Sequence, residues 1–443
     1  MNNRRTVLKM ATLAAASRFG AMNAFAQGQD YKALVCVFLF GGNDANNTVI
    51  PQGTEYTAYR AIRGSLALPD HSAQPLAVTA AAGASYALSS GLQAIHPLWA
   101  QGKLSVVANV GMLVQPTTRA QYLAGLTPVP SNLFSHSDQV VQMQAGTPNS
   151  SAGSGWAGRV ADAVVHLNAA ASFPPAVSMA GQQIFCKGNA VQSASLIPGF
   201  DMQLNGMAMW PPEAAAARVQ GLQAVLALDS GSVLVQAANK VRQDAVALSG
   251  LLKGLAGGTP LAAQFPGTSI GNQLKQVAQI IRLRSQIGLK RQVFFCAVDG
   301  FDTHSGQTWN HWNLLTQLSQ ALAAFQLATE EMGIADRVTA FTESEFGRTL
   351  QPSGSGTDHG WGGHHLVLGG AVRGGDLYGR MPVMALGGPD DAGTRGVWIP
   401  TTSLDQYGAT LAKWFGLDAG ALAQVFPHLA KFDTPDLGFM RPA

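Results

Sequence analysis

A continuous apolar run, Ala33-Leu34-Val35-Cys36-Val37-Phe38-Leu39-Phe40, ends at the pair Gly41-Gly42. Three later runs follow the same plan, at 104–110, 292–298 and 337–342. Runs without polar alternation are typical of strands that are buried on both faces of a mostly parallel sheet. Between the runs lie helical patterns at about 215–255, 270–288 and 309–332. The sequence therefore predicts an α/β fold, in which helices cover both faces of a mostly parallel sheet as a three-layer α/β/α arrangement.

The N-terminus has the pattern of an export signal. A paired arginine, Arg4-Arg5, precedes an Ala-rich stretch from Met10 to Ala16, and Ala24-Phe25-Ala26 offers a cleavage site. This pattern is typical of a twin-arginine signal at 1–26, whereas a frayed basic terminus of a cytosolic protein is the alternative. We expect the twin-arginine machinery to export the chain to the periplasm or the medium, with one large domain at 27–443.

Charge and hydropathy exclude two classes of partner. Four of the 28 basic residues lie in the signal, so 24 remain against 25 acidic residues. The mature chain is therefore nearly neutral, and no basic run resembles a nucleic-acid patch. No run approaches the ~20 apolar residues of a membrane-spanning helix. We expect no nucleic-acid partner and no stable membrane anchor. A Ser/Gly/Ala/Pro-rich stretch at about 144–268 is poor in strand patterns, and we expect an insertion or cap there.

Acidic and histidine side chains follow directly after three of the predicted strands. Asp44 follows the first run, Asp302 and His304 follow the run at 292–298, and Glu345 follows the last. Because the carboxyl ends of parallel strands meet at one edge of a sheet, we expect these side chains to lie close together. Carboxylates and imidazoles are ligands for Zn and Mn. The pattern therefore predicts a metal-dependent site.

Four motifs make this prediction more specific, and they occur in the order Gly41-Gly42-Asn43-Asp44, Phe301-Asp302-Thr303-His304, Ser344-Glu345-Phe346-Gly347-Arg348-Thr349 and Gly356-Thr357-Asp358-His359-Gly360. Together they resemble an exported bacterial family of unknown function that is grouped with the alkaline phosphatase-like and sulfatase superfamily. The resemblance implies a three-layer α/β fold and one or two divalent ions, which we expect to be Zn, Mn or Ca. It also implies a nucleophile that attacks a phosphate or sulfate ester.

The resemblance implies roles for individual residues. Asp302, His304 and His359 correspond to ligands of the first metal, and Asp44 to a ligand of the second. Glu345 falls where the superfamily has an Asp followed by His, but Phe346 replaces that His. The second site is therefore one ligand short, unless Asp358 or His364 completes it. Alternatively, Asp358 is a hydrogen-bond partner of His359 and His364 is structural.

The resemblance also suggests Ser135 as the nucleophile, at the start of a helix where free N–H groups favour an oxyanion. His136 would then orient the leaving group. The alternative is that Ser135 only caps the helix. Arg348 either binds an anionic oxygen through its guanidinium or pairs with a neighbouring carboxylate.

Two functions fit the sequence. The first is an exported, metal-dependent hydrolase of phosphate or sulfate esters on a small molecule or a polysaccharide. The second is a non-catalytic periplasmic binding or assembly protein that keeps the fold and one structural metal.

The export prediction has a direct test. Changing Arg4 and Arg5 together to Lys keeps the charge but removes the paired guanidinium groups. We expect the precursor of this variant to accumulate in the cytoplasm, as measured by cell fractionation and immunoblotting. Normal export of the double-lysine variant would contradict a twin-arginine signal.

Overall fold

A computed structural model describes residues 30–68, 76–80, 82–169, 171, 173–198, 210–228, 231–236, 238–240, 242–243, 246, 250 and 261–442. Its strands in chain order are β1 (Lys32–Leu39), β2 (Val49–Pro51), β3 (Leu76–Thr79), β4 (Ser85–Leu88), β5 (Leu104–Gly111), β6 (Ala176–Ser178), β7 (Ser193–Ser195), β8 (Arg291–Val298), β9 (Val338–Glu343), β10 (Gly363–Leu368), β11 (Leu377–Tyr378) and β12 (Thr402–Ser403). The described α-helices are α1 (Thr54–Arg63), α2 (Pro97–Ala100), α3 (Arg119–Leu123), α4 (His136–Ala145), α5 (Trp156–Ala163), α6 (Pro212–Leu226), α7 (Ser269–Arg282), α8 (Gln307–Glu331), α9 (Leu404–Phe415) and α10 (Ala419–Val425).

One large sheet organises the described residues, and its strand order is β11-β5-β10-β9-β1-β8-β6-β7, with β12 beside β5. Strand β1 lies at its centre and pairs in parallel with β8 and β9. Strands β6 and β7 continue the parallel arrangement beyond β8, whereas β10 runs antiparallel to both β9 and β5. The predicted mostly parallel sheet is therefore confirmed. A small antiparallel sheet, β2-β4-β3, lies apart from it.

Helices cover both faces of the large sheet. Along β1, Val35 and Val37 pack into the apolar layer that α7 and α8 complete. Cys36 and Phe38 point the opposite way, into the layer that α5 and α9 complete. Successive strand residues face opposite sides, so a strand that is apolar at every position needs cover on both sides. The predicted three-layer arrangement is confirmed.

The longest helix shows why the sequence forms these layers. α8 begins after Gly306, and its buried residues Leu315, Leu318, Leu322 and Phe325 recur every three or four positions. This spacing gives one apolar stripe on a helix, which packs on the sheet. The helical pattern predicted at 309–332 corresponds to this element.

Part of the predicted insertion belongs to the main fold. Strands β6 and β7 lie inside 144–268, yet both are strands of the large sheet. Short runs such as Ala176–Ser178 are too brief to stand out as sheet strands in the sequence. The predicted signal at 1–26 lies outside the described residues. No helix in the described ranges is long and apolar enough to span a membrane.

Candidate metal centre

The loops that follow three parallel strands lie at the same edge of the sheet. Gly41 follows β1, Asp302 follows β8 and Glu345 follows β9. The Gly41 N–H donates to Glu345 Oε1 at 2.8 Å. Gly41 has φ +114°, and a Cβ there would lie 2.1 Å from the Asp302 backbone nitrogen. Only glycine allows this approach, which holds the loops after β1 and β8 against each other.

Four side chains converge at this edge, and they are Asp302, His304, His136 and His359. His359 Nε2 lies 3.0 Å from the Nε2 atoms of both His136 and His304. Asp302 Oδ1 lies 2.9 Å from His304 Nε2, 3.4 Å from His136 Nε2 and 3.5 Å from His359 Nε2. The donor atoms fall into two overlapping groups that share His359. Those of His136, Asp302 and His359 lie within 4.8 Å of one another, and His304 forms a second such group with His359 and Asp358. We call Asp302, His304, His136 and His359 the histidine cluster.

Hydrogen bonds on the outer side of two rings fix their orientation. His359 Nδ1 lies 2.7 Å from the carbonyl oxygen of Phe134, which can only accept. His136 Nδ1 lies 2.9 Å from Glu345 Oε1. Both Nδ1 atoms therefore carry the hydrogen, so in the neutral rings each Nε2 presents a lone pair to the cluster.

The loop that supplies the Phe134 carbonyl has an unusual backbone. Asn132 has φ +50° and Phe134 has φ +74°, a region that a bulky residue such as Phe rarely adopts. The Phe134 N–H donates to Gln139 Oε1 in α4, which helps to hold this conformation. Strain of this kind concentrates at functional sites. It also aims His136, the first residue of α4, at the cluster.

Aromatic packing encloses one side of the cluster. The Phe346 ring stacks on His359, with centroids 4.8 Å apart, and lies 4.8 Å from the His136 ring. The motif resemblance implied that a histidine is missing at position 346. In the fold, the Phe346 side chain forms an apolar wall against two cluster histidines.

Arg348 is buried and bound within the protein. Its Nη1 donates to the Gly41 carbonyl at 2.7 Å and to Asp302 Oδ1 at 3.0 Å, and its Nε donates to Thr357 Oγ1 at 3.0 Å. Its Nη2 donates to the Thr357 carbonyl. Arg348 thus pairs with the Asp302 carboxylate.

Charge around the cluster shifts three pKa values. The hydrogen bond to Glu345 raises the pKa of His136, and burial lowers that of His359. Burial by itself would raise the pKa of Asp302, but the bonded Arg348 charge and the nearby histidines outweigh it and lower this pKa. Asp302 is therefore ionised near neutral pH.

Asp44 lies outside the histidine cluster. Its side chain is fully buried, forms an ion pair with Arg63 and accepts a hydrogen bond from Gln307 at the start of α8. Asp44 Oδ1 has no partner among the described residues. The carboxylate is therefore part of a buried ion pair that joins α1 and α8 to the loop after β1.

Ser135 is the N-cap of α4, beside His136. Its hydroxyl donates to Asp138 Oδ2 at 2.7 Å and lies 3.1 Å from Ser137 Oγ. These contacts are within its own helical turn.

The two remaining predicted residues have different surroundings. A carboxylate oxygen of Asp358 lies within 4.8 Å of the ring nitrogens of His304 and His359, and Asp358 Oδ1 accepts the His359 backbone N–H at 2.9 Å. His364 is buried in β10, where its Nδ1 accepts the Asn109 N–H at 2.9 Å. Burial lowers the pKa of His364 to about 4, so it is neutral at physiological pH.

The structure thus brings together Asp302, His304 and His359, with Asp358 beside them. Sequence reasoning assigned His136 to the leaving group and missed its place among the ring nitrogens. The Asn-Leu-Phe-Ser-His run at 132–136 was visible, but the partner of His136, Glu345, is 209 positions away. Only the sheet topology joins the two.

Two solved structures are distantly similar to this chain. The solved structure of Ps i-CgsB in complex with k-i-k-neocarrahexaose is 9% identical, with a TM-score of 0.37, over 91% of this chain and 77% of that chain. The phosphonate monoester hydrolase of Agrobacterium radiobacter is 10% identical, with a TM-score of 0.32, over 88% and 74%. Similarity this low says nothing about the chemistry of this chain. No curated protein matches the sequence. A family model described as protein of unknown function (DUF1501) matches residues 31–393, and the chain belongs to that family.

Proposed function

We propose that this protein is an exported, metal-dependent hydrolase of phosphate or sulfate esters. The observation that carries the proposal is the convergence of three imidazole nitrogens and one carboxylate oxygen in the histidine cluster.

Protons must lie between the ring nitrogens of the cluster when no cation is present. His359 Nε2 has one lone pair, yet it faces two other Nε2 atoms at 3.0 Å. It can accept only one hydrogen bond, and two lone pairs at this distance repel each other. A proton on His136 Nε2 would relieve one contact, and a hydrogen on His304 Nε2 would be donated to Asp302 Oδ1, which lies 2.9 Å away. A divalent cation would take the place of the first proton, because the donor atoms of His136, His359 and Asp302 lie within 4.8 Å of one another.

The donor set indicates which metals are favoured. Two imidazoles and one carboxylate, as in the group His136, His359 and Asp302, suit Zn or Mn, whereas Ca prefers six to eight oxygen ligands. Glu345 and the Phe134 carbonyl hold the outer nitrogens of His136 and His359, which is the usual support for metal-bound histidines. Asp44 is bound to Arg63, so we favour one ion over two.

The exposure of the cluster favours chemistry at this site. The side chains of Asp302 and His304 are 44% and 48% exposed, whereas Phe346 and Arg348 close the inner side. A divalent metal would polarise an ester oxygen and make a water molecule more acidic. His136 and His359 keep their lone pairs directed inward, and Arg348 holds Asp302 in position. We favour water over Ser135 as the nucleophile, since the Ser135 hydroxyl is hydrogen-bonded to Asp138.

The motif resemblance to the alkaline phosphatase-like superfamily supports an ester of phosphate or sulfate as the substrate. The predicted twin-arginine signal supports a periplasmic or secreted location, since that route exports folded proteins that already hold their metal. The ester group of the substrate can belong to a small molecule or to a polysaccharide.

A second function is favoured by one observation. His304 lies beside the three donors His136, His359 and Asp302. It would be a fourth protein ligand if it also bound the ion, and zinc sites with four protein ligands are usually structural. On this alternative the protein binds an exported partner or a polysaccharide and uses the metal only for stability.

The first test removes one ligand. We expect His136→Ala to lose both bound metal and turnover of an aryl phosphate or aryl sulfate, because His136 contributes one of the converging nitrogens. The exposed His166→Ala is the matched control and should change neither. Ser135→Ala should keep both metal and turnover. The measurements are inductively coupled plasma mass spectrometry and steady-state kinetics after loading with Zn or Mn.

Each outcome of this test has a definite meaning. A metal-bound wild-type protein that hydrolyses neither ester would favour the non-catalytic alternative. Retention of metal by His136→Ala would contradict the proposed ligand set. Loss of turnover by Ser135→Ala with metal retained would instead make Ser135 the nucleophile.

A second test asks whether Glu345 binds the metal itself or only orients His136 through a hydrogen bond. Glu345→Gln removes the charge that holds His136 Nδ1 but keeps a carbonyl oxygen for it. We expect the metal dissociation constant to rise roughly 10- to 100-fold, the usual effect of changing such a partner. The exposed Glu213→Gln is the control. Complete loss of metal from Glu345→Gln would indicate that Glu345 is itself a ligand, and an unchanged constant would show that it gives His136 no support.

A further inference from the structure

One half-exposed guanidinium lies at the edge of the histidine cluster. The Arg395 side chain is 39% exposed, and its Nη1 lies 3.4 Å from Asp358 Oδ2. Asp358 in turn has a carboxylate oxygen within 4.8 Å of the ring nitrogens of His304 and His359. Arg395 is therefore separated from the cluster by one side chain.

The other two arginines of this region are buried and form their hydrogen bonds within the protein. Arg348 and Arg63 have fully buried side chains. Arg63 donates to the carbonyls of Thr349 and Leu350, at 2.8 and 2.9 Å, as well as to Asp44. Both guanidinium groups are therefore shielded from solvent and already hydrogen-bonded within the protein.

The contact between Arg395 and Asp358 is loose. Charge-assisted hydrogen bonds between a guanidinium and a carboxylate are usually about 2.7–2.9 Å long. Arg380 forms such bonds with both oxygens of Asp390, at 2.7 and 2.8 Å. The single contact from Arg395 to Asp358, at 3.4 Å, is longer than these bonds and uses only Nη1. The other N–H groups of Arg395 remain available to another anion.

The loop that carries Arg395 is rigidly built. The buried Asp391 carboxylate accepts four backbone N–H groups, from Gly387, Gly393, Gly396 and Val397, at 2.9–3.0 Å. The Arg395 carbonyl accepts the Gln351 N–H at 3.0 Å, which ties the loop to the strand-end segment that also carries Arg348. These hydrogen bonds fix the loop backbone, so the Cα atom of Arg395 keeps a constant position relative to the cluster.

From these observations we infer that Arg395 binds the anionic group of the substrate and determines specificity for charged esters. This inference rests on the proposed function. One oxygen of a phosphate or sulfate group would face the cluster, and another would accept hydrogen bonds from the Arg395 guanidinium. A guanidinium fork matches two oxygens of such a group, which a lysine cannot do.

The experiment compares Arg395→Gln and Arg395→Lys with the matched control Arg380→Gln, in protein loaded with Zn or Mn. Inorganic phosphate is the probe, and its dissociation constant is measured by isothermal titration calorimetry. The KM for an aryl phosphate is measured in parallel, and thermal unfolding checks that each variant is folded. We expect Arg395→Gln to raise both constants roughly 10- to 100-fold, Arg395→Lys to raise them less and Arg380→Gln to leave them unchanged.

The outcomes distinguish this inference from the proposed function. If the wild type hydrolyses the ester and Arg395→Gln leaves KM and phosphate affinity unchanged, the assignment of Arg395 is wrong and the hydrolase function stands. If the wild type binds phosphate through Arg395 without turnover, the assignment stands and the hydrolase function fails. If the loaded wild type binds no phosphate, the assignment of Arg395 is wrong, and turnover of the aryl phosphate and aryl sulfate decides the hydrolase function separately.

Discussion

The hydrogen bond between His359 Nδ1 and the Phe134 carbonyl is the contact on which the rest of the site depends. It fixes the hydrogen on the outer nitrogen and turns the lone pair of Nε2 toward the other ring nitrogens. The backbone at Phe134 has a positive φ to make this possible, and such conformations cost of order 1–3 kcal/mol each. The fold thus stabilises an arrangement that a free chain would avoid.

Buried charge holds this arrangement in place. In a chain only 12% charged, Arg348 joins the loops after β1 and β8 and the segment at Thr357. Behind it, Arg63 and Asp44 form a fully buried ion pair. Removal of one partner of such a pair typically costs about 3–5 kcal/mol, because the other charge is left without compensation. Charged residues that resemble ligands in the sequence therefore serve partly to fix the loops from which the ligands project.

The sequence was sufficient for the elements whose pattern is local. The run from Ala33 to Phe40 predicted a strand buried on both faces, and the rule for parallel strand ends placed Asp302 near Glu345. Contacts that depend on distant segments could not be predicted in this way. His136 meets Glu345 across 209 positions, through a loop whose positive φ at Phe134 has no sequence signature. Asp44 looked like a ligand because nothing in the sequence indicates that Arg63, in α1, would neutralise it.

We propose that a single metal ion is bound by His136, His359 and Asp302, with His304 beside it. The most direct measurement is anomalous X-ray diffraction, recorded above and below the zinc absorption edge, on crystals of the protein loaded with zinc. The account predicts one strong peak at ~2.0–2.2 Å from His136 Nε2, His359 Nε2 and Asp302 Oδ1. A peak at Asp44 or elsewhere with the histidine cluster unoccupied, or no peak at full zinc loading, would contradict it.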